Sequence, residues 1–452
     1  MRKKIIIIGG VAAGMSAAAK AKRLNPELEI TVYERTNVVS WGACGLPYYV
    51  GDFYADKNVM IAREPEQFEK DGISVKGLHE VVDIDINKKE VTVLDLKTST
   101  KFNDSYDELI IATGADAINP PIKNIDGQNI FQLKKFQDGI DLKKEILKKE
   151  NKNIVIIGGG YIGLEAAEAG IHLGKNVTII QKDDRVVPVS FDKEITDIME
   201  EELRSTPNLE LKLSEQVEEF ILENNKVTGV KTDKGTYPAD IVIIAIGVKP
   251  NTNFLKNKGL NMLPNGALII DGKGRTNVKD IYAAGDCASV WHKVRKENVY
   301  IPLATTSNKI GRVVGEHLAG VDIEFAGTLG SAAIKVMNLE AGRTGISEKE
   351  AIEMGIPYKT VFIEDANQTG YYPGQEDLYA KLIFNSETRE ILGGQLVGKK
   401  GAVLRVDVIA AAIDKKMTVD ELGMLDLCYA PPFALTWDTL NTLGNVAKSK
   451  LK

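Results

Sequence analysis

The chain has 452 residues, a hydrophobic fraction of 44%, a charged fraction of 27% and a formal net charge of -6 at pH 7. This length predicts about two to four domains, and the acidic balance provides no basic surface for nucleic acid or an anionic membrane, so neither is expected as a partner. The three cysteines, Cys44, Cys287 and Cys428, lie far apart, which excludes a disulfide framework, predicts no bound metal and favours a cytoplasmic protein.

The first predicted unit lies at the N-terminus, where "KKIIIIGGVAAGMSAAAKAKRL" combines a β-branched run, a glycine turn and an alanine-rich helix. The four isoleucines are too short a run for a signal sequence or a membrane span. In a dinucleotide fold, loop glycines let the backbone approach a pyrophosphate whose charge the helix N-terminus stabilises. Gly9 and Gly14 match the first and third positions of GxGxxG, with Val11 at the second and Gly10 beside it. The next strand ends at Glu34, where a carboxylate can accept hydrogen bonds from a ribose.

A single cysteine follows in "VVSWGACGLPYYVGDF", where Cys44 is flanked by Gly42 and Gly45. Small neighbours leave open backbone around the sulfur, and an accessible thiolate is what makes a cysteine reactive. A buried, inert role as a small hydrophobe is the commoner fate of a free cysteine. This segment alone leaves both roles open.

The glycine unit recurs in "KNIVIIGGGYIGLEAAEAGIHLG", which carries Gly158, Gly160 and Gly163 in full register between a strand and a helix. Two such units predict two bound dinucleotides. The strand after the second unit ends at Gln181, with Lys182 beside it, so the carboxylate that usually repels a 2′-phosphate is missing. The second unit is therefore expected to bind nucleotides both with and without a 2′-phosphate.

Further along the chain, the strands of residues 106–116 and 239–252 end in glycine turns, as crossings between two domains do. The stretch "NVKDIYAAGDCA" places Asp286 just after a strand and Gly285, where a carboxylate can bind a polyol hydroxyl. The C-terminal part lacks a glycine fingerprint and mixes strands such as "LYAKLIF" with helices such as "GAVLRVDVIAAAIDK".

With both glycine fingerprints and the Asp286 motif, the sequence resembles the pyridine nucleotide-disulfide oxidoreductase family over its whole length. The resemblance implies an α/β fold with two Rossmann-like dinucleotide-binding domains, as in glutathione reductase, and a C-terminal α+β dimerisation domain. The implied FAD-binding domain is split into residues 1–115 and 250–325, around an NAD(P)-binding domain of residues 116–249. Residues 326–452 are the implied dimerisation domain of a homodimer, and the implied cofactors are FAD with NADH or NADPH.

The family motifs also imply which residues bind the cofactors. Gly9, Gly14 and Glu34 would bind the ADP part of FAD, Asp286 would hold its ribitol, and the second fingerprint would bind NAD(P)H. The full set of implied cofactor-binding residues is Gly9, Gly10, Ala13, Gly14, Glu34, Arg35, Ser40, Thr113, Gly114, Gly158, Gly160, Tyr161, Ile162, Gly163, Glu165, Gln181, Lys182, Gly247, Gly285, Asp286, Ala304 and Thr305.

The helix predicted in "TTSNKIGRVVGEHLAG" is expected to have Thr305, Thr306 and Ser307 as N-terminal caps. In the family this helix points at the flavin ring, so its dipole would stabilise an anionic reduced flavin. By the same resemblance, Tyr161 would stack over the flavin until NAD(P)H displaces it. Glu165 would lie near the nicotinamide or serve a structural role.

The segment around Cys44 separates two branches of the family. Reductases of the glutathione and lipoamide kind use CxxxxC and a C-terminal histidine of the partner subunit, but here no second cysteine follows Cys44 and the four histidines all precede residue 326. The stretch "SWGACGLPYY" instead resembles the single-cysteine branch of coenzyme A disulfide reductases, NADH oxidases, NADH peroxidases and polysulfide reductases. A single sulfur reacts through a mixed disulfide, a persulfide or a sulfenic acid.

Tyrosines in the C-terminal domain match a second feature of that branch. The segments "TGYYPG" and "LCYAPPFALTWD" resemble those from which coenzyme A disulfide reductases bring two tyrosines of the partner subunit to the cysteine. Tyr429 matches the second segment, and either Tyr371 or Tyr372 matches the first. A phenol can donate a hydrogen bond to a departing thiolate. The adjacent Cys428 is expected to serve packing, or else to act as a resolving thiol from the other subunit.

Several positions bear on the substrate. Related peroxidases and water-forming oxidases carry a histidine in the first glycine loop, where this chain has Ala12, so efficient peroxide or four-electron oxygen chemistry is disfavoured. Coenzyme A disulfide reductases typically have an asparagine before the cysteine, where this chain has Ala43. The candidate ligands for coenzyme A are Ser40 and three cations that would otherwise be solvated surface charges, Lys20, Arg23 and Arg63.

The resulting hypothesis is an FAD-dependent NAD(P)H oxidoreductase that reduces coenzyme A disulfide, polysulfide or persulfide at Cys44, in an active site shared across a homodimer. Coenzyme A is accordingly expected as a substrate or as an adduct on the sulfur. One alternative is an NADH oxidase that reduces oxygen. The other is a flavoprotein that carries electrons or binds a partner, with Cys44 as a bystander.

Overall fold

The structure is a computed structural model that describes residues 3–451. Its strands, in chain order, are β1 (Lys4–Ile8), β2 (Glu29–Glu34), β3 (Ile73–Gly77), β4 (His79–Asp85), β5 (Glu90–Asp95), β6 (Thr100–Ser105), β7 (Glu108–Ile111), β8 (Ala115–Ala117), β9 (Ile130–Gln132), β10 (Asn153–Ile157), β11 (Asn176–Ile180), β12 (Leu209–Lys212), β13 (Val217–Glu223), β14 (Lys226–Thr232), β15 (Thr236–Pro238), β16 (Ile241–Ile244), β17 (Val248–Pro250), β18 (Ile281–Ala283), β19 (Val290–His292), β20 (Glu297–Val299), β21 (Ala332–Val336), β22 (Leu339–Gly345), β23 (Tyr358–Ala366), β24 (Asp377–Asn385) and β25 (Ile391–Gly398).

The α-helices, in the same order, are α1 (Ala12–Leu24), α2 (Leu46–Val50), α3 (Pro65–Lys70), α4 (Phe136–Ile146), α5 (Tyr161–His172), α6 (Lys193–Ser205), α7 (Ala304–Leu318), α8 (Glu348–Glu353), α9 (Ala402–Asp414), α10 (Val419–Gly423) and α11 (Thr439–Ser449). Short 3₁₀ helices span Ala43–Gly45, Lys57–Met60 and Asn253–Leu255. In this described part of the chain, no helix is both long and apolar enough to cross a lipid bilayer.

The first sheet contains five strands in the order β18-β7-β1-β2-β3, and all of its pairs are parallel. Its isoleucine-rich strand β1 is buried, as expected for a parallel sheet that is covered on both faces. Strand β18 pairs with β7, with Ile281 opposite Leu109. Residues that follow the second glycine unit therefore complete the sheet of the first unit.

The second sheet has the order β12-β11-β10-β16-β9 and is also entirely parallel. The chain passes between the two sheets through the antiparallel pair β8 and β17. Gly114 and Gly247 directly precede these two strands with φ values of 65° and 112°, a left-handed region that favours glycine. Each parallel sheet contains a strand that leads into a glycine loop and a helix, β1 before α1 and β10 before α5. This confirms the predicted α/β class with two dinucleotide-binding folds.

Helices α1 and α7 pack against each other without intervening side chains. A Cβ atom on Gly311 would lie 2.4 Å from the carbonyl oxygen of Ala13, and one on Gly315 would lie 2.4 Å from that of Ala17. Only glycine permits such a close approach of two backbones. This contact fixes the N-terminus of α7 beside the first glycine loop.

The start of α7 differs from the sequence prediction. The helix begins at Ala304, its N-cap is Leu303, and no side chain caps it, so the prediction that Thr305, Thr306 and Ser307 act as caps was wrong. Leu303 already has extended backbone geometry, which places the three hydroxyl residues inside the first turn. The Thr306 hydroxyl donates back to the carbonyl of Leu303 at 2.8 Å.

The C-terminal domain is built on an antiparallel sheet of order β21-β22-β25-β24-β23. Helices α9 and α11 contribute buried apolar residues to the same core as strands β24 and β25. The buried interior includes Leu382, Phe384 and Leu443. This mixed arrangement agrees with the predicted α+β class of the domain.

A buried ionic network joins the second sheet domain to the C-terminal domain. Lys381 of β24 is 1% exposed, and its Nζ lies 2.8 Å from Glu194 of α6 and 2.6 Å from Glu348 of α8. Asp192, the N-cap of α6, donates its backbone N–H to Gln395 of β25 at 2.8 Å and accepts from the Gln395 amide at 2.7 Å. These bonds fix α6 relative to the C-terminal sheet.

We expect the variant Lys381→Met to lower the free energy of unfolding by about 3 kcal/mol, because it leaves the carboxylates of Asp192, Glu194 and Glu348 without their cation. Lys193→Met is the matched control. Lys193 pairs with Asp197 on the exposed face of α6, the helix that carries Glu194, and exposed pairs of this kind add little stability. Urea denaturation of both variants measures the difference. Equal losses in the two variants would contradict the assignment of Lys381 as the cation of a buried network.

Candidate functional site

Cys44 lies in the short 3₁₀ helix Ala43–Gly45 that leads directly into α2. The hydroxyl of Tyr54 donates to the carbonyl of Gly45 at 2.8 Å, and a Cβ on Gly45 would lie 2.8 Å from that hydroxyl oxygen. A side chain in place of Gly45 would therefore have to displace the Tyr54 hydroxyl. Cys44 is exposed, so the alternative of a buried small hydrophobe was wrong.

Charged residues from three other segments act on the Cys44 thiol. Although the side chain is accessible, desolvation by the surrounding protein atoms raises its pKa above the ordinary value; the carboxylates of Glu165 and Asp286 add to that increase, and the ammonium of Lys134 opposes it. Glu165 belongs to α5, Lys134 precedes α4, and Asp286 follows β18. A thiolate at Cys44 is therefore stabilised mainly by Lys134.

Lys134 also holds Asp286 in place. Its Nζ lies 3.0 Å from Oδ2 of Asp286, and the Ser307 hydroxyl of α7 donates to Oδ1 at 3.3 Å. The Tyr300 hydroxyl donates to the Asp286 carbonyl at 3.0 Å. Sequence reasoning missed Lys134, because a lysine in the pair "KK" before a helix carries no motif that separates it from a surface charge.

Glu165 and Tyr48 complete the surroundings of Cys44. Burial raises the pKa of Glu165 to about 7, and the neighbouring Glu168 adds to the shift. Burial also raises the pKa of Tyr48 to about 12, with further contributions from Glu165, Glu168 and Cys44. Tyr48 follows Cys44 by one helical turn and remains a neutral hydrogen-bond donor. It was missed from the sequence, where it reads only as one of two adjacent tyrosines.

The two glycine loops are built in the same way. A Cβ on Gly9 would lie 2.2 Å from the carbonyl oxygen of Ala112, and one on Gly14 would lie 2.0 Å from that of Gly9. In the second loop, a Cβ on Gly158 or Gly163 would meet backbone carbonyl oxygens at 2.5 Å or 2.0 Å. The first and third glycines of each fingerprint are thus required by the packing of helix against strand.

The middle position of the fingerprint differs between the loops. No atom lies within 4 Å of a Cβ built on Gly160, the residue that directly precedes α5. Open space in front of a helix N-terminus is what the pyrophosphate of a dinucleotide needs. The first loop has Val11 in this position, directly before α1.

The remaining predicted cofactor residues lie around these loops. Ser40 donates its N–H to the Gly10 carbonyl at 2.8 Å, the Thr113 hydroxyl donates to the Asn251 carbonyl at 2.8 Å, and Arg35 pairs with Asp116 at 2.5 Å. The others are found at the starts of α1, α5 and α7, in the crossing turns and after strand β18: Ala13, Gly114, Tyr161, Ile162, Gly247, Gly285, Ala304 and Thr305.

Tyr161 is the first residue of α5. Its ring centroid lies 6.4 Å from that of Phe191, and burial raises the pKa of its hydroxyl. The tyrosine is therefore packed against the loop that precedes α6. Its displacement by NAD(P)H remains a prediction.

Two of the three cations predicted to bind coenzyme A already have ion-pair partners within the chain. Lys20 pairs with Glu316 at 3.0 Å, and Arg63 pairs with Asp71 at 2.6 Å while lying 4.0 Å above the ring of Phe68. Arg23 is exposed near the end of α1. A role for these cations in substrate binding remains a prediction.

The candidate tyrosines form a pair on the C-terminal domain. The hydroxyls of Tyr371 and Tyr429 lie 2.9 Å apart, with the two residues 75% and 43% exposed. This hydrogen bond raises the pKa of Tyr429. Tyr372 is exposed as well, but its hydroxyl makes no such bond among the described residues. Within one chain, residues 3–451 show no hydrogen bond between this pair and Cys44.

Comparison with known proteins gives consistent results. Residues 3–311 match the family model described as pyridine nucleotide-disulphide oxidoreductase, and residues 331–440 match the dimerisation domain of the same family. The NAD(P)H coenzyme A polysulfide/persulfide reductase of Pyrococcus horikoshii is 39% identical over 449 residues, covering 99% of each chain. The coenzyme A disulfide reductase of Staphylococcus aureus is 31% identical, covering 98% of this chain and 100% of the relative.

Among solved structures, the water-forming NADH oxidase from Lactobacillus brevis bound to NADH is similar in fold. The TM-score is 0.95 with 34% sequence identity, and the match covers 99% of both chains. The nucleotide-bound relative thus has the same arrangement of sheets and helices as this chain.

We expect Lys134→Met to raise the pKa of Cys44 and to slow alkylation of its thiol by iodoacetamide at mildly alkaline pH, because the opposing ammonium is lost. Glu165→Gln should have the opposite effect, since it removes a carboxylate that disfavours the thiolate. The rate of alkylation of the Cys44 peptide, followed by mass spectrometry against pH in the reduced protein, measures both.

Lys135→Met is the matched control for this prediction, because Lys135 is the exposed neighbour of Lys134 in sequence. It should leave the pH profile at the wild-type position. If Lys134→Met and Lys135→Met shift the profile equally, Lys134 has no specific action on the cysteine.

Proposed function

The chain belongs to the pyridine nucleotide-disulphide oxidoreductase family, and on that premise we propose that it uses NADH or NADPH to reduce coenzyme A disulfide, polysulfide or persulfide at Cys44. The observation that carries the proposal is one exposed cysteine, Cys44, at a site formed by both nucleotide-binding folds. The other two cysteines are free thiols as well, Cys287 being buried and Cys428 exposed. The relatives named for these substrates, at 39% and 31% identity, support the choice.

The residues at the first glycine loop and around Asp286 fit FAD. Gly9 and Gly14 let α1 pack directly on the sheet, which puts the helix N-terminus where a pyrophosphate would bind, and Asp286 presents a carboxylate beside the start of α7. Gly9, Gly14 and Glu34 would hold the adenosine part, and Asp286 the ribitol. Bound FAD would accept a hydride from NAD(P)H and supply an electron pair to sulfur.

Cys44 acts by thiol–disulfide exchange. Its thiolate attacks one sulfur of the substrate, a new S–S bond forms as the old one breaks, and one thiolate leaves with the electron pair of the broken bond. Two electrons then break the mixed disulfide, which releases the second thiolate and restores the Cys44 thiolate. With polysulfide or persulfide, the same attack leaves Cys44 as a persulfide, whose reduction releases sulfide.

The proposal includes a homodimer in which Tyr429 and Tyr371 of one chain approach Cys44 of the other. The pair is exposed and hydrogen-bonded, and the matched dimerisation domain contains Tyr371 and Tyr429. The pairing with Tyr429 favours Tyr371 over Tyr372. A neutral phenol there would donate a hydrogen bond to the leaving thiolate, so no histidine is needed.

A second candidate function is an NADH oxidase, because the water-forming enzyme of Lactobacillus brevis has a TM-score of 0.95 against this chain. Ala12 at the start of α1 provides no acid or base for peroxide chemistry, which disfavours this candidate. A flavoprotein that only carries electrons is the third possibility and predicts no reaction at sulfur. We also propose a cytoplasmic location, supported by three free thiols in a family with thiol chemistry.

We expect Cys44→Ser to retain bound flavin and its reduction by NAD(P)H, but to lose turnover of coenzyme A disulfide by at least about a thousandfold, because no other group there can form the mixed disulfide. Cys428→Ser is the control and should stay near wild type. Anaerobic stopped-flow reduction and steady-state turnover measure the two half-reactions. Unchanged disulfide turnover in Cys44→Ser would remove the cysteine from the mechanism.

Mixing the Cys44→Ser chain with a Tyr429→Phe chain should restore activity, because half of the heterodimer sites then contain both intact residues. Each variant alone should be weak, and the mixture should recover up to about a quarter of wild-type turnover if subunits exchange at random and each site acts independently. Activity in a chain held as a monomer would contradict a shared site.

A further inference from the structure

The end of strand β11 shows an unusual arrangement of polar groups in the second glycine unit. The Gln181 side chain is 7% exposed; its Oε1 accepts the N–H of Gly159 at 2.8 Å, and its Nε2 donates to Oδ2 of Asp183 at 2.8 Å. Both polar atoms of the amide are therefore engaged within the chain. The hydrogen bonds thus run from Gly159 through the Gln181 amide to Asp183, whose carboxylate is exposed.

The first glycine unit provides an internal comparison. There Glu34 Oε2 accepts the N–H of Gly10 at 2.8 Å, and Oε1 accepts from the backbone and hydroxyl of Thr36, both at 2.9 Å. The strand-end residue carries the negative charge, and the residue two positions later is neutral. In the second unit the strand-end residue is neutral, and the negative charge lies two positions later, on Asp183.

Two further bonds fix the segment that carries this carboxylate. The carbonyl of Asp183 accepts the N–H of Ser214 at 2.8 Å, and the N–H of Val187 donates to the carbonyl of Gly159 at 2.9 Å. The segment is thus tied both to the neighbouring strand region and to the glycine loop itself. The open space at Gly160 lies in the same loop.

We propose that Asp183 replaces the missing strand-end acid and distinguishes NADH from NADPH at the 2′ position of the adenosine ribose. This inference rests on the proposed use of a pyridine nucleotide by the second unit. The Asp183 carboxylate accepts a hydrogen bond from a 2′-hydroxyl and repels a 2′-phosphate. Gln181 is the positioning residue, since its amide holds Asp183 to the glycine loop.

Neighbouring charges set how strong this preference is. Lys182 is exposed beside Asp183 and attracts a 2′-phosphate, so the wild type should use both nucleotides with a preference for NADH below about a hundredfold in kcat/KM. Asp184 lies 3.6 Å from Arg185 in an ion pair, which offsets its charge. Asp184 is therefore the natural control for Asp183.

The test compares Asp183→Asn with Asp184→Asn in the FAD-loaded protein. Calorimetric titration with ADP-ribose and with its 2′-phosphate derivative reports binding without turnover. For Asp183→Asn we expect the ratio of the two affinities to move about tenfold toward the phosphorylated ligand, and to move less at high salt. Asp184→Asn should change the ratio less than about twofold.

Asp183→Ser provides a second variant, which also removes the carboxylate and should move the ratio in the same direction as Asp183→Asn. An unchanged ratio in Asp183→Asn, or an equal change in Asp184→Asn, would overturn the inference. If Asp183→Asn fails to fold, Asp183→Ser decides, and an unchanged ratio there would overturn the inference. Failure of the wild type to bind either ligand would instead refute the proposed function itself.

Discussion

Helices α1 and α7 touch backbone to backbone, because Gly311 and Gly315 place no side chain between them. Helix α1 starts at the first glycine loop, whereas α7 comes from the chain that follows the second unit. Their contact joins the two separate stretches of chain that form the first sheet and its helices. It also places the start of α7 beside Gly285, where a Cβ would lie 3.0 Å from that of Ala13. Asp286, held by Ser307 and Lys134, then lies within electrostatic reach of Cys44.

The charged residues that this packing brings together set the pKa of the Cys44 thiol. Burial and two carboxylates raise the pKa of Cys44, and burial raises the pKa of Glu165 to about 7. Above that pH the ionised Glu165 disfavours a second negative charge on the sulfur. In a mixed disulfide the Cys44 sulfur carries no charge, so this oxidised state avoids the repulsion. The site is therefore suited to store its oxidising equivalent as a mixed disulfide, with Lys134 stabilising the thiolate that reduction releases.

Local sequence patterns were sufficient to predict the fold where a strand, a glycine turn and a helix follow one another directly in the chain. Both parallel sheets and their glycine loops were predicted in this way, because the backbone clashes at Gly14 and Gly163 leave no other residue possible. The caps of α7 were predicted wrongly, since composition cannot show that Leu303 already has extended geometry. Lys134 and Tyr48 were missed because the charges near them, Asp286 beside Lys134 and Glu165 beside Tyr48, come close only in the tertiary structure. The roles assigned to the site residues from family likeness stay predictions.

In the proposed mechanism, Cys44 alone holds the oxidising equivalent, by bonding to part of its substrate. The most direct measurement is the intact mass of the protein purified without reductant, with the Cys44 peptide analysed separately. We expect an adduct of coenzyme A, or of one or more sulfur atoms, that dithiothreitol or NAD(P)H removes. A clean thiol at Cys44, together with NADH turnover in air and none on any disulfide or polysulfide, would contradict it.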